Sequence, residues 1–242
     1  METYAQIKKN LKQLRLSSFY ENFEQRVNEA VNSKISYADF LLALTQDEID
    51  RRKLKKQENT IKKANLGKYR RIMEFDFDFN IKINRQQIMN FSICDFIRKS
   101  ENIFFVGPAG VGKTFLAKAI AHEACTKGFS VLFYRTQKML DYIYSGKADN
   151  SEIRKLKQFT KPDLLILDDW GLQAFPNHLL HILNEIISER YESGSIIITS
   201  NRPLENWGEL FSEPVVSSAL LDRLFHNAHK IVIDGKSFRK TL

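Results

Sequence analysis

Gly107-Pro108-Ala109-Gly110-Val111-Gly112-Lys113-Thr114 decides the fold of this chain, because it satisfies GxxxxGK[ST] at every fixed position. The apolar run Ile103-Phe104-Phe105-Val106 precedes it, and a helical pattern of Phe115, Leu116, Ala119, Ile120 and Ala124 follows. A strand, a glycine-rich turn and a helix N-terminus form an anion cradle. Glycine lets backbone N–H groups turn inward toward phosphate oxygens, and the helix dipole adds partial positive charge. In such a cradle Lys113 is expected to reach the β- and γ-phosphates and the Thr114 hydroxyl to hold Mg2+. The nucleotide set is then Gly107, Pro108, Ala109, Gly110, Val111, Gly112, Lys113, Thr114 and Phe115.

Outward from the loop, apolar runs recur at 103–106, 131–134, 164–167, 196–199 and 231–233. Helical patterns lie between them at 114–127, 137–144, 151–159, 177–192 and 217–227, and a helix over 85–99 leads in. Five buried-type strands alternating with helices predict an α/β fold with a five-stranded parallel sheet covered on both faces. The run Leu164-Leu165-Ile166-Leu167 ends in Asp168-Asp169, 54 residues after Thr114. Asp168 is expected at the metal, and Asp169 as general base or orienting group for the attacking water. Asp169 taken alone also suits a turn or helix cap. Ile196-Ile197-Ile198-Thr199-Ser200-Asn201 ends similarly. Asn201 could bind the γ-phosphate or the water, while Thr199 and Ser200 could simply cap the strand. Arg223, in Leu220-Leu221-Asp222-Arg223-Leu224, reads from the residues alone as one half of an Asp–Arg surface pair.

The 242 residues carry a formal net charge of +8, unevenly placed. Ten cations lie within 51–71: Arg51, Arg52, Lys53, Lys55, Lys56, Lys62, Lys63, Lys68, Arg70 and Arg71. With Glu58 the only acid there, the segment is +9 and the remainder −1. Like charges this dense repel along a helix, so a polyanion partner is expected, and nucleic acid fits best. The segment continues three helical patterns. Ile7, Leu11 and Leu14 share one face; Phe19, Phe23, Val27 and Ala30 share another, with Ser17 or Ser18 as N-cap. The third begins near Ser36, with Asp39 in its first turn, carries Leu41, Leu44, Glu48 and Ile49, and stops near Asn65-Leu66-Gly67. Phe75-Asp76-Phe77-Asp78-Phe79 alternates strictly, as either a linker strand or a loop packed near an adenine ring. No stretch is long and apolar enough for a membrane span, the start does not read as a secretory signal, and Cys94 and Cys125 read as small buried hydrophobes in a reducing cytoplasm.

Taken in order, the loop, the Asp-Asp strand, the Thr-Ser-Asn strand and Leu-Asp-Arg-Leu resemble an AAA+ ATPase of the DnaC/IstB clade. Leu14-Arg15-Leu16-Ser17, the Phe75–Phe79 segment, Asp168-Asp169-Trp170-Gly171, Ala219 to Leu224 and Gly235-Lys236-Ser237-Phe238-Arg239 look like IstB-type proteins in particular. The resemblance covers nearly the whole chain. It implies ATP and Mg2+ as cofactors, assembly on duplex DNA, and presentation of target DNA to a cognate transposase. It makes Asn201 a sensor, Arg223 a finger acting on a neighbouring subunit in a head-to-tail homo-oligomer, and Arg239 a phosphate sensor. Two features depart from the wider AAA+ pattern. Position 169 is Asp where most members have Glu, and no C-terminal helical lid is expected after the core. The implied organisation is a helical DNA-binding domain with a basic arm, 1–74, and an AAA+ domain, 75–242. A DnaC-like helicase loader acting on single strands and a nucleotide-switched adaptor without hydrolysis are the alternatives.

Overall fold

The computed structural model describes residues 2–79 and 83–238, with the backbone alone at 214–216. Three helices open the chain: α1 (Glu2–Gln13), α2 (Ser17–Ser33) and α3 (Tyr37–Lys63). Two short helices follow, α4 (Arg85–Phe91) and α5 (Asp95–Arg98). Strands and helices then alternate as β1 (Asn102–Val106), α6 (Lys113–Thr126), β2 (Val131–Arg135), α7 (Thr136–Tyr144), α8 (Glu152–Thr160), β3 (Leu164–Trp170), α9 (Asn177–Arg190), β4 (Ser195–Ser200), α10 (Pro214–Phe225) and β5 (Ala228–Val232).

The chain divides into two compact units, Met1–Asn59 and Thr60–Leu242. The first has a small core of Leu11, Phe23 and Leu44, with Ile7, Phe19, Val27 and Phe40 packed against it. Leu14, expected on the apolar face of α1, is 65 % exposed, because the helix ends at Gln13 and Arg15 turns the chain at φ 57. Ser36 caps α3 as expected, its Oγ accepting from Asp39 N at 3.1 Å. No serine side chain caps α2. Glu48, reaching from α3, accepts the Ser18 N–H at 2.8 Å and Arg52 Nε at 2.7 Å. A carboxylate there satisfies an orphan N–H and meets the positive end of the helix dipole.

The second unit is built on a parallel sheet in the order β2-β3-β4-β1-β5. β1, β3 and β4 are buried on both faces, which is why they read as apolar runs and not as alternation, whereas the edge strands β2 and β5, expected to be buried-type as well, are partly exposed because each has a neighbour on one side only. Ile103, Phe105, Ile166 and Ile197 face α6 and the segment before β1, whereas Phe104, Leu165, Leu167 and Ile198 face α7, α9 and α10. β4 lies between β1 and β3, so the chain end of β4 separates the loop after β1 from the acids ending β3.

Three sequence expectations change here. The units part at Asn59/Thr60, inside α3, and not at 74/75. The reason is that 60–74 packs on the sheet unit. Ala64, Leu66 and Ile72 are buried in its core, Ala64 O accepts from Phe133 N at 2.8 Å, and Asn65 Nδ2 donates to Phe133 O at 3.1 Å. This also covers the free side of the edge strand β2 at Phe133. Second, of the two readings of Phe75–Phe79 the linker strand gives way to the loop: Asp76 Oδ1 accepts from both Asp78 N and Phe79 N at 3.0 Å, closing a turn. Third, the expected helix over 85–99 breaks into α4 and α5 where Cys94 takes the left-handed conformation at φ 66.

Replacing Glu48 by Gln should raise amide exchange in the first turn of α2 by roughly 10- to 100-fold, about 1.5–3 kcal/mol for a hydrogen-bonded charged group. Burial pushes the Glu48 carboxyl up, but Arg52 and the Ser18 N–H outweigh it and hold it below the usual range. A depressed folded-state pKa means the contribution is complete at neutral pH and is lost as pH falls through that value. Protection of α2 should therefore fall in acid in the parent protein and show a weaker acid dependence in the Gln variant.

Candidate nucleotide site

Three strand ends converge at the carboxyl edge of the sheet. After Val106 the chain turns through the glycine loop and enters α6 at Lys113. The turn requires glycine at Gly112, which sits at φ 99 and whose Cβ would collide with the Phe75 ring. Gly110 is equally constrained, at φ 84 with Ser237 against it. Lys113 Nζ donates to Gly107 O at 2.7 Å, Pro108 O at 2.6 Å and Asn201 Oδ1 at 2.7 Å. The ammonium therefore stands at the mouth of the loop, tied to the end of β4.

Asp168 is 4 % exposed, and a carboxylate buried that far needs partners. Thr114 Oγ1 donates to its Oδ1 at 2.7 Å and Thr199 Oγ1 donates to the same oxygen at 2.6 Å. Thr136 Oγ1 bonds the Asp168 carbonyl at 3.1 Å. Successive residues of a regular strand face opposite ways, which would send Asp169 out of the site. A β-bulge prevents this. The pairing steps from Leu167↔Ile198 to Trp170↔Ser200, so Asp168 and Asp169 together oppose Thr199. Asp169 takes φ 58, its N–H donates to Thr199 Oγ1 at 3.2 Å, and its carboxylate lies 3.5 Å from Arg135 Nε.

Lys113, Thr114, Asp169 and Asn201 border a cavity of about 690 Å³ lined also by Arg70, Phe75 and Phe238. Phe75 packs edge-on against Phe77 and Phe238 with centroids at 5.0 and 5.6 Å, and Arg70 lies 5.4 Å over the Phe115 ring. Phe238 N donates to Gly110 O at 3.0 Å, closing the chain back onto the loop. The Thr114 hydroxyl and Asp168 carboxylate are hard oxygen donors in mutual contact. Mg2+ takes one or two protein oxygens and completes its shell with phosphates and water, so the pair fits that ion.

The structure thus brings together Lys113, Thr114, Asp168, Asp169 and Asn201 at one edge. Arg223 is at the other. It lines a cleft with Asn102 and Ile196, the starts of β1 and β4, and Asn102 Nδ2 anchors the end of its helix through Leu224 O at 3.0 Å. Arg239 lies outside the described residues. The ten cations of 51–71 fall into different settings. Arg51 pairs with Glu21 and Arg52 with Glu48, while Arg70 lines the nucleotide cavity. Lys53, Lys55, Lys56, Lys62, Lys63, Lys68 and Arg71 are exposed. Thr199, Thr136 and Arg135 were not legible as site residues, since hydroxyls and an arginine at strand ends carry no spacing signal. Phe238 was visible only as part of a terminal motif.

The family model described as IstB-like ATP binding protein matches residues 9–242. The chain belongs to this family. It is 34 % identical over 237 residues to an ATP-binding protein of insertion sequence IS232 from Bacillus thuringiensis subsp. berliner, covering 98 % of this chain and 95 % of that protein. It is 32 % identical over 229 residues to the insertion sequence IS21 ATP-binding protein of Pseudomonas aeruginosa, covering 95 % and 86 %. Among solved structures, the DnaC helicase loader superposes with a TM-score of 0.56 at 24 % identity, over 70 % of this chain and 96 % of that one. AMPPCP-bound DnaA from Aquifex aeolicus superposes equally, at 0.56 and 19 % identity, over 70 % and 51 %. These likenesses establish the AAA+ fold of the second unit's sheet and helices. Among the described residues, no helix is long and apolar enough to cross a membrane.

Gly112→Ala should weaken ATP binding at least tenfold, about 1.4 kcal/mol, because the new methyl displaces Phe75 in a conformation that L-residues disfavour. Titration with a fluorescent ATP analogue checks this, with the melting temperature as folding control.

Proposed function

We propose that this protein is an ATP-dependent regulator of insertion-sequence transposition, which assembles head-to-tail on duplex DNA and hands that DNA to a transposase. The observation that carries the assembly is the separation of Arg223 from Lys113 across the sheet. An arginine at the amino edge cannot serve the cavity of its own chain. It can serve the cavity of a second copy whose carboxyl edge faces it, and contacts of that kind build rings or open filaments. The names of the insertion-sequence relatives support the transposition setting.

In this mechanism the loop N–H groups and Lys113 bind the phosphates. Thr114 and Asp168 would hold Mg2+, which would supply screening of the phosphate charge. Thr199 keeps Asp168 and Asp169 in place through its hydroxyl. Asp169 accepts the proton of the attacking water at its carboxylate, and Asn201 orients that water or the γ-phosphate. Arg223 of one subunit stabilises charge building on the γ-phosphate bound by the next. ATP gates assembly, and hydrolysis or contact with the transposase releases it.

Arg223→Ala should keep the parent affinity for ATP yet lose DNA-stimulated turnover, by roughly 10³-fold or more for a trans-acting arginine. Lys113→Ala should lose ATP binding. Mixing the two inactive variants should restore part of the turnover, because a Lys113→Ala subunit still lends Arg223 to its neighbour's ATP. Failure of the mixture to recover any activity on DNA would sink the shared site.

Lys53 and Lys55 are exposed on α3 and lie outside the ion pairs that engage Arg51 and Arg52. Reversing both to Glu should weaken binding to duplex and reduce the slope of log K against log salt by about 2. Anisotropy titrations over a salt series read both effects.

A further inference from the structure

A groove of about 1000 Å³ borders β2, the edge strand of the sheet. Its charged residues are Lys63, at the end of α3, and Arg154, Lys157 and Lys161 on and just beyond α8. Among the described residues no carboxylate lines it. Residues 154, 157 and 161 stand at i, i+3 and i+7, so α8 presents them on one face. All four cations are exposed. None forms an ion pair among the described residues. The nearby acids are engaged elsewhere: Glu152 bonds His181 at 3.0 Å, and Asp163 accepts from Ser130 N and Oγ at 2.7 Å.

Four cations held together by a helix face and a chain end repel one another, and an anion with repeating charge relieves that repulsion. Asn150 and Gln158 add uncharged hydrogen-bonding groups of the kind that contact phosphate oxygens. Among the described residues no aromatic side chain lines the groove, so these residues offer no platform on which unpaired bases would stack. That composition suits the backbone of a duplex over a single strand.

We propose that this groove is a second phosphate-backbone site for duplex DNA, built on the ATPase unit itself and separate from the cations of α3 before Asn59. It rests on the DNA-binding function proposed above.

Lys155 provides an internal control. It lies on the same helix but donates to Ser145 Oγ at 2.8 Å and stands 5.0 Å from the Tyr142 ring centroid, outside the groove. Lys157→Glu and Lys155→Glu change the net charge equally. With a fluorescein-labelled duplex and ATP-Mg2+, Lys157→Glu should weaken binding at least fivefold and lower the salt slope by about 1, and Lys155→Glu should stay within about twofold. Both should bind a fluorescent ATP analogue like the parent protein, and Arg154→Gln repeats the test should Lys157→Glu fold poorly. Equal losses in the two reversals would mean bulk charge alone is at work and would overturn the groove. So would unchanged binding by Lys157→Glu, or a larger loss on oligo-dT than on duplex. If the parent protein binds no duplex at all, the DNA-binding function itself fails, and the groove with it.

Discussion

A single carboxylate oxygen organises the site. Asp168 Oδ1 receives hydroxyls from Thr114 on α6 and from Thr199 on β4. With Asp168 itself on β3, three elements distant in sequence are joined at one atom. Burial of an unpartnered carboxylate costs several kcal/mol, so this geometry is enforced by what it would cost to break it. It depends in turn on strand order. Only because β4 lies between β1 and β3 can Thr199 reach the acid while Asn201, two residues on, reaches Lys113. The switch point of the sheet and the binding cavity are therefore the same place.

The bulge in β3 is the second requirement. In a regular strand an Asp-Asp pair would divide between the two faces of the sheet. Here the extra residue lets both acids oppose Thr199, at the expense of a left-handed Asp169. Asp tolerates that conformation better than Glu because its short side chain can bond locally. The left-handed backbone thus gives position 169 a physical reason to carry Asp.

How much of this was legible follows from what each feature leaves in the sequence. Strands buried on both faces leave apolar runs, which mark β1, β3 and β4, while the partly exposed edge strands β2 and β5 left shorter apolar stretches within a few residues of 131–134 and 231–233. The glycine loop leaves a fixed spacing because only glycine fits against Phe75 and Ser237. A bulge leaves no such mark, and neither does a threonine whose partner is distant in sequence. Charge counting misled in a different way. The +9 segment suggested one arm, yet Arg51 and Arg52 pair with acids and Arg70 turns into the cavity. Meanwhile Arg154, Lys157 and Lys161 lay hidden in a remainder whose sum is −1, because a sum over a sequence averages charges that folding separates onto different faces. Phe75–Phe79 shows the same limit: alternation describes a strand, but Asp76 closed it into a turn.

Arg190 lies at the opposite edge, 1 % exposed, and binds five carbonyls: Phe159, Thr160, Pro162, Asp163 and Ser195. Burial pushes its guanidinium down to about 10. Among the described residues no carboxylate bonds it; peptide dipoles from the α8–β3 turn and the start of β4 hold it, with the nearby Asp163 charge favouring its charged form. Such a cation works as a clasp between segments that are distant along the chain. Its acceptors come from the α8–β3 turn and from Ser195 at the start of β4, so separating those segments would leave a buried charge short of partners. The amino edge of the sheet is thereby tied to α9, on the same chain stretch that continues through β4 to Thr199 and Asn201 at the other edge.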